Sequence, residues 1–295
     1  MTTGLADEFQ AQRSRLFALA YRMLGSAEEA EDTVQDAWLR FHGADRDGIE
    51  QLGAWLAKVV TNLCLNRLTS ARARREAYVG PWLPEPVATA DGALGPLESA
   101  EQRDAVSLAV LVLLERLTPV ERAVYVLREA FGYGHREIAG LLDLSEANCR
   151  QLYRRATQRV AAPETRFTPA PDRQAELVES FLTAAREGDL AGLEKLLAGD
   201  VTWWSDGGGK VKAALRPIEG REKVVRFTTG VFERFAAGYV LTVAEVNGAP
   251  AVLAWNGEEL WGAVTFVYRD ETIVGLRAVV NPDKLGFVGR QLGRP

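Results

Sequence analysis

The sequence predicts a multidomain protein: two all-α domains, the second built around a helix-turn-helix, followed by an α+β domain. Three observations carry this expectation. As far as Val160, apolar residues recur at helical spacing, with no run that alternates like a strand. Stretches rich in proline interrupt the pattern at residues 77–97 and 163–171. Beyond about residue 200, β-branched and aromatic residues alternate between turn signals such as Asn247-Gly248 and Asn256-Gly257. At 295 residues the chain exceeds what one core usually serves. The boundaries expected are 1–76, a linker over 77–97, 98–162, a second linker over 163–171, and 172–295.

In the first domain, Leu16, Phe17, Ala20, Tyr21 and Leu24 form one helical stripe, which Gly25 stops. Ser26 to Glu29 is a capping box that opens a second helix, with Ala30, Val34, Ala37, Trp38 and Phe41 on its apolar face. A third helix is predicted over Leu52–Leu68, running into Arg67, Arg72, Arg74 and Arg75. The linker "AYVGPWLPEPVATADGALGPL" holds four prolines and three glycines and cannot continue a helix. Helical pattern resumes near Glu98 and runs to Leu113, and Thr118-Pro119-Val120-Glu121 then opens a further helix with a second capping box.

"HREIAGLLDLSEANCRQLYRRATQRV" (135–160) is the strongest local signal. A short helix with Ile138, Ala139, Leu141 and Leu142 inside meets a tight turn at Asp143-Leu144, and Ser145 caps the next helix. That second helix turns Asn148, Arg150, Gln151, Arg154 and Arg155 outward, the residue types that contact base edges and phosphates. The formal net charge of −5 does not oppose nucleic-acid binding, because the arginines of 67–75 and 150–159 form two local clusters.

In the third domain, two helices (173–187 and 190–198) are predicted to lead into strands over Val201–Ser205, Val211–Arg216, Tyr239–Val246, Ala251–Trp255, Glu259–Arg269 and Thr272–Val280, interrupted by a helix over 221–236. The expected sheet is antiparallel, with a concave face. "WWSDGGGK" (203–210) looks like an anion cradle, but a phosphate loop needs glycine where Trp204 stands and a hydroxyl where Val211 stands. The glycines read instead as a turn. The two cysteines, Cys64 and Cys149, sit apart in apolar helical patterns and read as buried hydrophobes. No metal or cofactor is expected. No apolar run approaches the roughly 18 residues a membrane span needs, so the protein is expected in the cytoplasm, away from membranes.

"AEDTVQDAWLRF" (30–41), "LGAWLAKVVTNLCLNRL" (52–68) and "LTPVERAVYVLREAFGYGHREIAGLLDLSEANCRQLYRRA" (117–156) resemble the extracytoplasmic-function group of the sigma-70 family of bacterial transcription initiation factors. Asp143 stands where that family commonly has glycine, a change that a left-handed turn tolerates in Asp. The remaining third is similar to the SnoaL-like branch of the cone-shaped fold shared with nuclear transport factor two. "YVGPWLPEP" (78–86), "DGGGK" (206–210) and "NPDKL" (281–285) together resemble the SigJ-like group, which carries such a domain.

The resemblance implies a role for each part. Asp32, Gln35 and Asp36 would hold core RNA polymerase. Trp55, Lys58, Asn62, Arg67, Arg72, Arg74 and Arg75 would engage the −10 element, and Asn148, Arg150, Gln151, Arg154 and Arg155 would read the −35 element of promoter DNA. Asp206, Gly207, Gly208, Gly209, Lys210, Asn281, Pro282, Asp283, Lys284 and Leu285 would be regulatory contacts of the C-terminal domain, whose pocket leaves a place for a small-molecule effector. The competing class is a SnoaL-like enzyme, or a small-molecule-binding domain fused to a DNA-binding module, with Asp206 as the base. His42 and His135 both lie outside the C-terminal domain, and a base among glycines is poorly positioned, so no catalytic residue is expected.

Overall fold

The structure, a computed structural model, describes residues 2–45, 48–90, 92, 94, 106–160, 169–235 and 238–293, with backbone alone at 2, 3, 71–76 and 235. The chain divides into two compact units, Met1–Glu76 with Asp91–Ala161 and Ala77–Ala90 with Ala162–Pro295.

In the first unit α1 (Thr2–Leu24) stops where Gly25 turns left-handed, at φ 68°. The Ser26 hydroxyl accepts from the Glu29 N–H at 3.1 Å and starts α2 (Ala27–His42), which buries Ala30, Val34, Ala37 and Phe41. α3 runs over Leu52–Glu76, two turns past the expected end at Leu68. Its last residues carry no apolar stripe, but alanine and arginine are good helix formers, and nothing in the backbone stops them. Phe9, Trp38, Phe41 and Trp55 meet edge to face, tilted or stacked, with centroids 5.1 to 6.2 Å apart, and close the α1–α3 bundle.

α4 (Leu108–Leu114) is capped by Ser107; most of the helix expected before it, residues 98–105, lies outside the described residues. α5 (Pro119–Glu129) opens on the Thr118/Glu121 capping box with proline at its first position. α6 (His135–Leu141) and α7 (Glu146–Val160) are joined through Asp143, whose φ of 53° is the left-handed turn expected of it. Arg122 on α5 is buried; its Nε donates to the Arg22 carbonyl of α1 at 3.1 Å and its Nη1 pairs with Glu115. Burial pulls Arg22 down to about 10 and Arg122 to about 9, so both stay charged at neutral pH. Both cysteines are buried and free, and burial pushes both thiols up.

The second unit is α+β. α8 (Pro171–Glu187) and α9 (Leu190–Leu196) precede β1 (Leu197–Asp206), β2 (Ile218–Glu219), α10 (Arg221–Phe235), β3 (Val240–Val246), β4 (Ala249–Asn256), β5 (Glu259–Arg269) and β6 (Thr272–Val279). A 3-10 turn (Pro282–Lys284) and α11 (Gly286–Leu292) follow. The strand order is β2-β1-β6-β5-β4-β3. The sheet is mixed and not antiparallel throughout, because β1 pairs β6 in parallel. The excursion through α10 and three further strands returns the chain beside β1 in the same direction, which no hairpin can do. Val211–Arg216 forms no strand: Leu215 is exposed, and β-propensity without a partner strand makes no ladder. Bulges in β1, β4 and β5 bend the sheet around Leu177, Phe181, Val224, Phe266 and Leu276.

Among the described residues no helix is long and apolar enough to cross a membrane, and no cluster of His, Cys, Asp or Glu is placed to hold a metal ion.

Candidate functional site

The most constrained polar site lies where β1 ends. Asp206 is fully buried, and a carboxylate there needs donors on both oxygens. Three arrive. The Tyr78 hydroxyl donates to Oδ1 at 2.5 Å, while Oδ2 accepts from the Leu83 N–H at 2.8 Å and from Lys284 Nζ at 2.7 Å. The Lys284 ammonium, itself buried, also donates to the Leu83 carbonyl at 2.6 Å. It lies 4.7 Å from the Tyr78 ring centroid and 4.2 Å from that of Trp82, so two aromatic faces replace part of its hydration. A buried ion pair holds only when its remaining valences are met in this way.

The glycines and the second motif complete the site. Gly208 and Gly209 have φ of 58° and 72°, where L side chains are strained. A Cβ on Gly208 would sit 2.3 Å from Asn281 Nδ2, and one on Gly209 would sit 3.2 Å from Val79 Cβ. Asn281 Nδ2 donates to the Tyr78 hydroxyl at 2.8 Å, and its Oδ1 accepts from the Asp283 N–H. Pro282 begins the 3-10 turn that aims Lys284 inward, and Leu285 is buried behind it. Lys210 Nζ donates to Asp283 Oδ1 at 2.7 Å on the exposed rim. Burial pushes the Tyr78 phenol well above its ordinary value, and the hydrogen bond and negative charge of Asp206 push it further.

What these residues grip is the segment expected to be a linker. Pro81, Pro84 and Pro86 have no N–H to satisfy, and the N–H groups of Leu83, Val87, Ala88 and Thr89 all bond to the rest of the C-terminal unit. Besides Leu83, the Val87 N–H reaches Asn247 Oδ1 at 3.1 Å, the Ala88 N–H reaches Gln291 Oε1 at 2.9 Å, and the Thr89 N–H reaches the Glu245 carbonyl at 3.3 Å. Leu83, Val87 and Ala88 are buried. Residues 78–89 thus form a strap on this unit. Sequence reasoning listed Asp206 and Lys284 as contacts; it had residues 78–86 only as a family motif in the linker and Asn247 only as a turn residue, and missed Tyr78, Leu83 and Asn247 as members of the site. The available signal was Trp82-Leu83, an apolar pair that a free linker has no reason to carry.

Asp206 is not placed as a free base, because both of its carboxylate oxygens are taken up by these three donors. The glycine stretch is a turn, with the Lys210 N–H bonded to the Gly207 carbonyl at 2.9 Å, and no nucleotide cradle.

In the other unit, Asn148, Arg150, Gln151, Arg154 and Arg155 are all exposed along one side of α7, while Cys149, Leu152 and Ala156 face inward. They differ in what holds them. Arg150 pairs with Glu146, and Arg155 Nε lies 3.3 Å from buried Glu121, which Arg159 also engages. These arginines and the Thr118 bonds hold the Glu121 carboxyl below its usual range against its burial. Arg154 makes no ion pair among the described residues.

On α2, Asp32 and Gln35 are exposed and Asp36 is half-buried. Arg67 Nη2 pairs with Asp36 at 2.8 Å, so two residues given different partners by sequence meet each other. Lys58 Nζ reaches Asp143 Oδ1 at 2.9 Å and the Gly140 carbonyl at 3.3 Å in the α6–α7 turn. Trp55 and Asn62 are half-buried on α3, whereas the side chains of Arg72, Arg74 and Arg75 lie outside the described residues.

Comparison with known proteins agrees with this arrangement. Residues 9–74 match the family model of sigma-70 region 2 and residues 107–160 that of sigma-70 region 4. The ECF RNA polymerase sigma factor SigJ of Mycobacterium tuberculosis is 38% identical over 97% of this chain and 94% of its own length. The probable ECF sigma factor SigI of the same species is 31% identical over 97% and 96%. The crystal structure of M. tuberculosis SigJ aligns at a TM-score of 0.74 with 34% identity, covering 96% of this chain and 98% of that one. The chain therefore belongs to the extracytoplasmic-function RNA polymerase sigma factors.

Proposed function

We propose that the C-terminal unit regulates this sigma factor from within its own chain by holding residues 78–89. As a member of its family the protein acts in promoter-directed transcription initiation with core RNA polymerase and is not an enzyme. In our reading Asp32, Gln35 and Asp36 engage the polymerase in the cytoplasm. Trp55, Lys58, Asn62 and the arginines of 67–75 take the −10 element, and Asn148, Arg150, Gln151, Arg154 and Arg155 take the −35 element. Residues 206–210 and 281–285 are the regulatory contacts, and the cone of the same unit takes a small-molecule effector.

The observation that carries the regulatory reading is the buried Asp206 carboxylate, shared by Tyr78, Leu83 and Lys284. In sequence, the strap separates the two DNA-reading regions. Twelve residues free to extend would span about 40 Å, and the same residues held on a domain contribute none of that reach. The test is transcription in vitro with core polymerase, comparing the wild type with Asp206→Ala and Asp283→Ala at temperatures well below each thermal midpoint. A changed transcript yield in a folded variant supports the reading. Yields that follow stability alone, or do not change, overturn it.

A further inference from the structure

The C-terminal unit contains a cavity of about 100 Å3 with almost no polar lining. Trp203, Phe232, Tyr239, Ala254, Trp261 and Val264 are among its walls. The Trp203 Nε1–H is turned to the Ser205 hydroxyl at 2.8 Å, which leaves its ring and not its donor for the cavity. Interiors pack to the density of organic crystals, so a void several times the room that one water needs is unusual, and one without polar partners does not hold ordered water. Its size suits one aromatic ring or a short hydrocarbon chain.

Val231 and Trp261 belong at once to this cavity and to a broad, open recess beside it. That recess is lined by Lys212, Arg226, Gly230 and Arg234. Positions 226, 230 and 234 follow one another at single-turn spacing along α10, so the two arginines flank a glycine whose missing side chain leaves the recess open. Glu222 lies 3.5 Å from Arg226 and offsets one of the three cations. Lys212 and Arg234 have no ion-pair partner among the described residues. A dry apolar chamber that shares walls with a cationic mouth is complementary to a molecule with one apolar end and one anionic end.

We propose that the C-terminal unit binds a small amphipathic anion, with a single aromatic ring or short acyl chain in the cavity and a carboxylate at Lys212, Arg226 and Arg234. The proposal rests on the reading of this cone as an effector site and names the chemical class that the site takes. It needs no catalytic group, and the carboxylate of Asp206 is engaged by the strap.

The test titrates three probes of matched shape into the full chain by calorimetry and ligand-observed NMR: 4-phenylbutyrate, 4-phenylbutan-1-ol and 4-phenylbutylamine. The acid should bind about fivefold tighter than the alcohol, as one partly exposed ion pair allows, and the amine should bind most weakly. Arg234→Glu should abolish the preference for the acid and leave alcohol binding unchanged. Gly230→Leu should do the same by filling the recess. Its Cβ meets nothing within 4 Å, and leucine is a better helix former than glycine, so this variant folds. Ala254→Leu should remove binding of acid and alcohol alike. Equal affinities for acid and alcohol overturn the anionic class and leave the effector reading standing. Absence of binding by every probe, or binding that Ala254→Leu does not change, overturns both.

Discussion

At the scale of single residues, Asp206 and Lys284 carry more than any other pair. Their bond is not worth much as a net gain, since two buried charges lose their water, but removing one partner leaves the other uncompensated. Asp206→Ala should therefore cost about 3–5 kcal/mol, read as a lower denaturant midpoint of the C-terminal unit. Tyr78 adds a pH signature. Its folded value lies above the ordinary 10.0, so its contribution is complete below pH 10 and is lost as pH rises further. Tyr78→Phe should lower stability at pH 7 by about 1–3 kcal/mol, because Asp206 loses a donor. The same variant should show a shallower loss above pH 10 than the wild type in unfolding measured across pH. Tyr125 and Tyr268 are also raised by burial, so the slope should flatten without vanishing.

At the scale of elements, α7 distinguishes arginines that composition makes identical. Arg154 is exposed with no ion-pair partner among the described residues, whereas Arg155 shares Glu121 with Arg159 and thereby ties α7 to α5. Arg154→Ala should lower the slope of log binding constant against log salt by about one on promoter DNA and leave the thermal midpoint unchanged. Arg155→Ala should lower both, since Glu121 is 2% exposed and loses one of its two cations. On α3, Lys58 meets Asp143 across a contact exposed on both sides. Lys58→Ala should cost no more than about 1 kcal/mol in thermal unfolding, and a larger loss would show that the contact holds the α6–α7 turn.

At the scale of the whole molecule, the strap makes the segment between region 2 and region 4 part of the compact unit that holds the C-terminal sheet. Tethering within one chain acts as an effective concentration in the millimolar range, so a contact of modest intrinsic strength stays occupied without a separate protein. Chymotrypsin should cut after Tyr78 or Trp82 slowly in the wild type and quickly in Asp206→Ala, with fragments identified by mass spectrometry. Equal cleavage of the two chains would mean that the Asp206 cluster does not hold the segment. Gly208→Ala should also release it, because a methyl group there strikes Asn281 and an L residue is strained at φ 58°.

Much of this was legible in the chain alone. The N-cap at Ser26, the capping box at Thr118, the turn at Asp143 and the outward arginines of α7 follow from spacing and short-range chemistry, and the structure places them where the spacing does. The family was legible because region 2 and region 4 carry their signatures over continuous helices. Tertiary structure decided the rest. Val211–Arg216 has the composition of a strand and no partner strand, while β1 pairs in parallel with β6, some seventy residues later in the chain. Asp206 has the look of a base or a phosphate-loop residue until Tyr78, Leu83 and Lys284, up to 128 residues away, take up its two oxygens. Periodicity and caps act within one or two turns of the chain, but the partner of a buried charge is set by the whole fold, so only the folded chain shows what that charge is for.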